Sequence, residues 1–459
     1  MITHETISAL RQQFRGPLID RADPSYDEAR KLYNAMIDKH PLLIARCADV
    51  ADVLAAVRFA RDNHLLTAIR GGGHNGPGLG SCDDGLVIDL SLMKGVRVDP
   101  QNQTVRAGPG CTQGDLDHAT HAFGLAVPAG IVSTTGIAGL TLGGGHGYLA
   151  RRFGLTVDNL LEADVVLADA TMVTVDSTRH PDLFWALRGG GGNFGIVTSF
   201  LFRAHPVSTV FAGPIFWGLS DASRIMKWFR QCLPSMPPEL FTFLHLSTIP
   251  SGDPFPRNLW GKRTCALVNC FTGPLDQAPA ALEPMRRELP QPMLDWTGPM
   301  PFPTLQSLFD PLIPKGLQWY WKADFVRELP DAAIDAHLAH ISKAPSEISL
   351  THLYPIDGAV HNIAPDATAW NMRNANWSMV ICAVHPDPAM APALKQWGRD
   401  YWQAVHPFNM QGAYVNFMMD ESEDRVRASY GSNYPRLAAV KKRYDPANFF
   451  RVNQNILPA

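Results

Sequence analysis

Apolar and polar positions change rhythm along this chain, and the rhythm predicts its elements. From Pro41 the stretch LLIARCADVADVLAAVRFARDNHL begins as a short apolar run and then sets alanine, valine and phenylalanine on one helical face, which predicts a strand followed by a helix. LTAIRGGGHNGPG reads as a strand running into a glycine loop. GLVIDLSLMKGVRVDPQNQTVRAGPG alternates like hairpin strands and breaks at DPQNQ, a turn. This mixture continues to about His205 and holds three glycine clusters, at 71–80, 136–147 and 189–195. From about Pro206 the clusters stop, tryptophan and proline increase, and strands such as TCALVNCFTG and NWSMVICAVH alternate with helices such as AAIDAHLAHISK. Near the end, LAAVKKRYDPANFFRVNQNI predicts a helix stopped by a Pro-containing turn and followed by a short apolar strand. The reading is α+β: residues 1–205 as a cofactor-binding part, and residues 206–408 as an antiparallel sheet backed by helices that walls off a substrate.

With 459 residues, 46% of them apolar, the chain has material for at least two cores. Its 40 basic and 43 acidic side chains leave a formal charge of −3, and no block gathers about five like charges. Neither nucleic acid nor an anionic membrane is expected as a partner. The first residues, MITHETISALRQQFRG, lack a secretory h-region, and no apolar run reaches the roughly 18 residues of a membrane span, so a cytosolic location is expected. Seven scattered cysteines without CxxC spacing predict neither a disulfide scaffold nor a zinc site. The sequons at Asn102 and Asn376 read as chance matches on that basis.

Two segments match GxGxxG, at Gly71, Gly73 and Gly76 and at Gly190, Gly192 and Gly195. Neither has the setting of a Rossmann site, which needs a strand before, a helix after and an acidic residue roughly 20 positions on. The second follows the helix DLFWALR and precedes the strand IVTSFLFRA, and the first runs into the turn-like GPGLGSCDDG. Dense glycine still lets backbone N–H groups approach an anion. Any one loop could be a tight turn; three of them within 125 residues suit a long pyrophosphate-bearing cofactor. No GxxxxGK[ST], HExxH or GxSxG occurs, and His74 alone would read as an ordinary structural histidine.

Four motifs in order change that reading. IRGGGHN at 69–75, PAGIVSTTGIAGLTLGGGHGYLARRFGLTVDN at 128–159, DLFWALRGGGGNFGIVT at 182–198 and RLAAVKKRYDPANFFRVNQNI at 436–456 resemble the berberine bridge enzyme-like family of FAD-linked oxidases, flavoproteins of the vanillyl-alcohol oxidase type. The resemblance spans roughly residues 36–457. It implies a two-domain fold with FAD across the first domain, the flavin ring at the interface with the second, and residues 409–459 returning to the first. It also implies FAD bonded at its 8α carbon to His74, a link that raises the flavin potential. The cofactor contacts it implies are Arg70, Gly71, Gly72, Gly73, His74, Asn75, Gly130, Val132, Thr134, Thr135, Gly139, Gly144, Gly145, Gly147, Gly195, Val197, Tyr414, Asn416 and Asn453.

Two departures matter. Where many members carry a second, cysteine link in G-x-C-x-T, this chain has Gly130-Ile131-Val132-Ser133-Thr134, which resembles the singly linked bacterial branch and implies attachment through His74 only. Where members that deprotonate an alcohol carry Y-x-N-Y, this chain reads Tyr414-Val415-Asn416-Phe417, and phenylalanine accepts no proton. Tyr414, with Asn416 beside it, is then the first choice of base, and His352 or Tyr354 on ISLTHLYPIDG the second. Thr135 stands where the family sets oxygen access, and its small side chain implies an oxidase that returns electrons to molecular oxygen as hydrogen peroxide. The expected substrate is a small organic molecule: an alcohol, amine, sugar or secondary metabolite. The alternatives are a dehydrogenase with another acceptor, or a flavin-bearing binding protein, for which Phe417 is the one supporting feature.

Overall fold

The computed structural model describes residues 4–459. Its first domain opens on a small sheet in which Leu43–Arg46, Leu86–Asp89 and Thr67–Arg70 run parallel, with Leu18–Asp20 antiparallel at the edge. The central strand LVID is buried at every position, as a strand covered on both faces must be. The expected helix is Val50–Asp62: Asp49 caps it by accepting from the N–H groups of Ala51 and Asp52, and Val53, Ala56, Val57 and Ala60 form its buried face.

A second, antiparallel sheet carries the predicted hairpin, Val96–Asp99 against Thr104–Ala107, with the Asp99 carboxylate holding the turn through the N–H groups of Gln101 and Asn102. Ile196–Arg203 lies between Thr104–Ala107 and Leu160–Val166. The glycine cluster at 189–195 therefore links the helix Pro181–Leu187 to a central strand, the order read from the sequence.

The large sheet of the second domain is antiparallel throughout, with Thr209–Gly218, Arg263–Phe271, Leu240–Thr248, Leu350–Pro355, Trp377–His385 and Gln318–Val326 side by side. Helices including Ala222–Cys232, Asp331–Ile341 and Ala391–Val405 back it. Period-two alternation sends Trp319 and Trp321, Leu350, His352 and Tyr354, and Val380 and Cys382 to the other face, where they line a cavity.

The predicted strand after the last helix does not form. The helix Tyr434–Tyr444 is followed by irregular chain to residue 459. Its backbone groups are taken by side chains and not by a neighbouring strand: Asp445 accepts from the N–H groups of Phe449 and Phe450, and Asn193 Oδ1 accepts from Ile456 N–H. Lys441, fully buried, donates to Asn193 O at 2.7 Å, Phe450 O at 2.9 Å and Asp445, while Leu437 and Ile456 share a core with Phe184 and Phe194. The C-terminal segment thus closes on the first domain. Among the described residues no helix is long and apolar enough to cross a membrane.

Candidate functional site

Between the glycine loops and the large sheet lies a cavity of about 330 Å³. At one end its walls are Thr67, Ile69, Leu90, Phe450 and Val452; its middle is Gly71–Asn75 and Gly191–Asn193; at the other end are Phe309, Trp319, Trp321, His352, Tyr354 and Phe417. The middle depends on backbone contact between loops. A Cβ on Gly72 would stand 2.6 Å from the Cα and N of Gly136, so the two loops touch where only glycine fits. Gly73 has φ +69°, in the left-handed region. The N–H groups of Gly72, Gly73 and His74 donate to no backbone carbonyl of the described residues, which leaves them free for an anion. Arg70 beside them gives Nη2 to Asp89 at 2.8 Å, and its buried Nη1 has no partner. An unpaired guanidinium nitrogen and open N–H groups in one groove fit the pyrophosphate of a dinucleotide cofactor.

His74 sits at the bend. Its ring stacks on Tyr33, centroids 3.7 Å apart and planes 23° from parallel, and its Nε2 lies 3.1 Å from Thr134 Oγ1. Tyr33 is anchored in turn by donating its hydroxyl to Ile313 O at 2.5 Å. The imidazole is open to the cavity but otherwise enclosed by protein, and this desolvation lowers its pKa to about 4. The ring is therefore neutral near pH 7, with a lone pair available.

Of the other expected contacts, Arg70, Gly71, Gly72, Gly73, Asn75, Gly130, Val132, Thr135, Gly139, Gly195, Val197, Tyr414, Asn416 and Asn453 line the cavity. Gly130 is clamped by Gln113, which accepts its N–H at 2.9 Å and donates to its carbonyl at 3.2 Å. Asn453 ties the C-terminal segment to the loop by donating to Gly192 O. Thr134 lines an adjoining cavity of about 500 Å³ that shares the His74 wall. Gly144, Gly145 and Gly147 line neither. They serve packing: a Cβ on Gly147 would meet Ala129 O at 2.3 Å, and Gly144 and Gly145 have φ +131° and +75°, which turns the chain after the helix Ile137–Gly143.

That turn brings in a residue the sequence reading passed over. His146 lines the cavity, is only 6% exposed, and has no partner on either ring nitrogen among the described residues. It is the single histidine in GLTLGGGHGYLA, the signal that could have marked it.

Tyr414, the first choice of base from the sequence, lines the cavity with its hydroxyl oxygen already engaged. Its hydroxyl oxygen accepts from Gly145 N–H at 2.9 Å and Asn416 Nδ2 at 2.8 Å, and burial pushes its pKa up to about 12. Asn416 also donates to Gly139 O and Leu140 O. The pair holds the end of the glycine helix. His352 is also committed: its Nε2 lies 2.5 Å from His245 Nδ1, and its Nδ1 pairs with the Tyr354 hydroxyl. Cys382 lines the cavity, whereas Cys111 is buried outside it.

Two family profiles match: one described as FAD binding domain over residues 41–176, and one described as berberine and berberine like over residues 413–457. The chain is 31% identical to YgaK of Bacillus subtilis, an FAD-linked oxidoreductase, with 98% of each chain covered. It is 29% identical to (R)-6-hydroxynicotine oxidase of Paenarthrobacter nicotinovorans, covering 97% of each. Among solved structures it superposes on 6-hydroxy-D-nicotine oxidase of Arthrobacter nicotinovorans with a TM-score of 0.85 at 26% identity, over 97% of this chain and 98% of that one. With the cavity, the glycine contact and both matched segments in place, the chain belongs to the berberine bridge enzyme-like family of FAD-dependent oxidoreductases.

Proposed function

We propose that this protein is an oxidase that carries FAD on His74 alone, oxidises a small organic molecule in the aromatic end of the cavity, and returns the electrons to molecular oxygen. The observation that carries this reading is the continuity of the cavity from the glycine loops, past His74, to the sheet face. FAD, when bound, supplies the two-electron acceptor. The chain supplies the rest. Tyr33 fixes the plane of the His74 ring and Thr134 occupies Nε2, leaving Nδ1 as the nitrogen free to bond to the flavin. Arg70 Nη1 and the open N–H groups would hold the pyrophosphate. Val132 offers no thiol, and Thr135 keeps the wall beside the ring small. The aromatic end excludes water from the reacting carbon.

Acid precipitation tests the attachment. The wild-type pellet should stay yellow, and His74→Ala should lose its colour to the supernatant. Peptide mass analysis should find flavin on the His74 peptide and on no cysteine peptide, Cys382 included. Flavin that washes off the denatured wild type would overturn the covalent reading.

A further inference from the structure

Among the described residues lining the cavity, Arg70 is the only Arg, Lys, Asp or Glu, and it stands with Asp89 beside the glycine loop. The aromatic end is therefore polar without being charged. Three of its polar groups already have protein partners: Tyr414 with Gly145 and Asn416, His352 with His245 and Tyr354, and Tyr354 with His352. His146 differs. Its ring stands edge-on to Phe417 (5.4 Å between centroids, 84°), with the rings of Tyr414 at 4.6 Å and Tyr354 at 5.1 Å, and both of its nitrogens are left over. A buried imidazole without hydrogen bonds is costly, so the partner it lacks is supplied by whatever fills the cavity. The indole N–H groups of Trp319 and Trp321 are likewise unpartnered donors on the lining.

We infer that His146 is the catalytic residue that takes the proton from the substrate, beside the phenylalanine that cannot, and that the substrate is an uncharged alcohol bearing a further oxygen for the indoles. This rests on the flavin-dependent reading above. The hydroxyl O–H breaks and its proton forms an N–H on the unprotonated ring nitrogen. The carbinol C–H breaks with its electron pair, which passes as hydride to oxidised FAD, the oxidant. A C=O bond forms, and the imidazole becomes imidazolium as the flavin gains one negative charge. Opposite charges created together in a low-dielectric cavity favour one another. Burial lowers the pKa of His146 to about 3 in the resting protein, so the ring starts neutral with its acceptor open. The rings packed against it, Tyr354, Tyr414 and Phe417, bring no charge of their own to oppose this.

The test uses the full chain purified with its flavin. Wild type, His146→Phe and His146→Gln are mixed anaerobically with a panel of uncharged benzylic and allylic alcohols and sugars, and with the amine and carboxylate analogues, while loss of the yellow absorbance is followed. At least one uncharged alcohol should bleach the wild type, and both variants should keep their flavin yet bleach at least about a hundredfold more slowly. Free imidazole should restore part of the rate to His146→Ala, which a merely structural role would not allow. 4-Methoxybenzyl alcohol should also perturb the flavin spectrum of the oxidised wild type more strongly than that of His146→Phe, a readout independent of turnover. Variants that bleach at the wild-type rate, or a wild type reduced only by charged analogues or by nothing in the panel, overturn the inference while leaving the cofactor assignment standing. A wild type that purifies without flavin overturns the underlying reading instead.

Discussion

The two ends of the cavity are built by opposite means. Around the glycine loops and His74 the walls are main chain: Gly72 against Gly136, Gly73 in the left-handed region, and loops that bring N–H groups and few side chains. At the aromatic end the walls are side chains on alternate positions of a sheet, Trp319 and Trp321 on one strand and His352 and Tyr354 on another. At Gly72 and Gly136 the main-chain wall admits no side chain, because a Cβ there meets backbone that cannot rotate away. A side-chain wall can be refitted residue by residue while the sheet beneath it stays the same. The first end is thus committed to its cofactor, and the second is free to differ in substrate.

The sharpest way to break this contrast is one small side-chain change at each end. Gly72→Ala puts a Cβ at 2.6 Å from Gly136, well inside ordinary contact, and should abolish most flavin binding. Cys382→Ala, on the lining of the other end, should leave the ratio of flavin to protein absorbance near that of the wild type. If Gly72→Ala purifies fully yellow, the glycine contact does not build the cradle.

The same contrast explains what was legible in the sequence. Glycine at a main-chain contact leaves a mark in composition, so the loops at 71–80, 136–147 and 189–195 could be read as places of close backbone approach before any coordinates. Strands and helices with clean periodicity, such as Val50–Asp62 and Trp377–His385, could be read too. The segment after Tyr444 could not: FFRV has strand composition, but Asp445 and Asn193 take its backbone groups. Tyr33 stacks on His74 from outside every motif, and nothing near it in the chain signals that contact. His146 stood inside a quoted motif and was read as part of the glycine run. The turn at Gly144 and Gly145 that aims it into the cavity is a tertiary fact.

A smaller effect is expected where the two ends meet. Thr135 is on the lining at a turn, its N–H donating to Val132 O at 3.1 Å, so its backbone is fixed and only its side chain can change the space. Thr135→Leu should slow reoxidation of the reduced enzyme by oxygen about tenfold, which corresponds to about 1.4 kcal/mol of barrier. Reduction by substrate should change little. Stopped-flow mixing of reduced enzyme with oxygenated buffer reads this directly; equal rates in both proteins remove Thr135 from oxygen access, and slow rates in both favour a dehydrogenase.

The smallest effect on chemistry should come from Tyr414→Phe, the variant that separates the two candidate bases. At the end of the glycine helix the phenol oxygen satisfies the buried Gly145 N–H and one N–H of the half-buried Asn416. Removing it strands a buried backbone donor, which costs about 1–3 kcal/mol. Asn416 loses less, because its amide still donates to Gly139 O and Leu140 O. Stability should therefore fall by a measurable amount, visible as a lower thermal midpoint with flavin still attached. The rate of anaerobic reduction should fall less than about threefold, far short of the hundredfold that marks the loss of a general base. A phenol whose pKa is pushed up to about 12 is almost wholly protonated at neutral pH, so it has little base to lose. The opposite pattern, an unchanged thermal midpoint with reduction a hundredfold slower, would return the proton to Tyr414 and would mean that the bound flavin draws the phenol's pKa down toward neutral pH. His146→Phe measured beside it should give the reverse of the expected Tyr414→Phe result: a large loss of rate with little loss of stability, because both nitrogens of that ring are unpaired before the change is made.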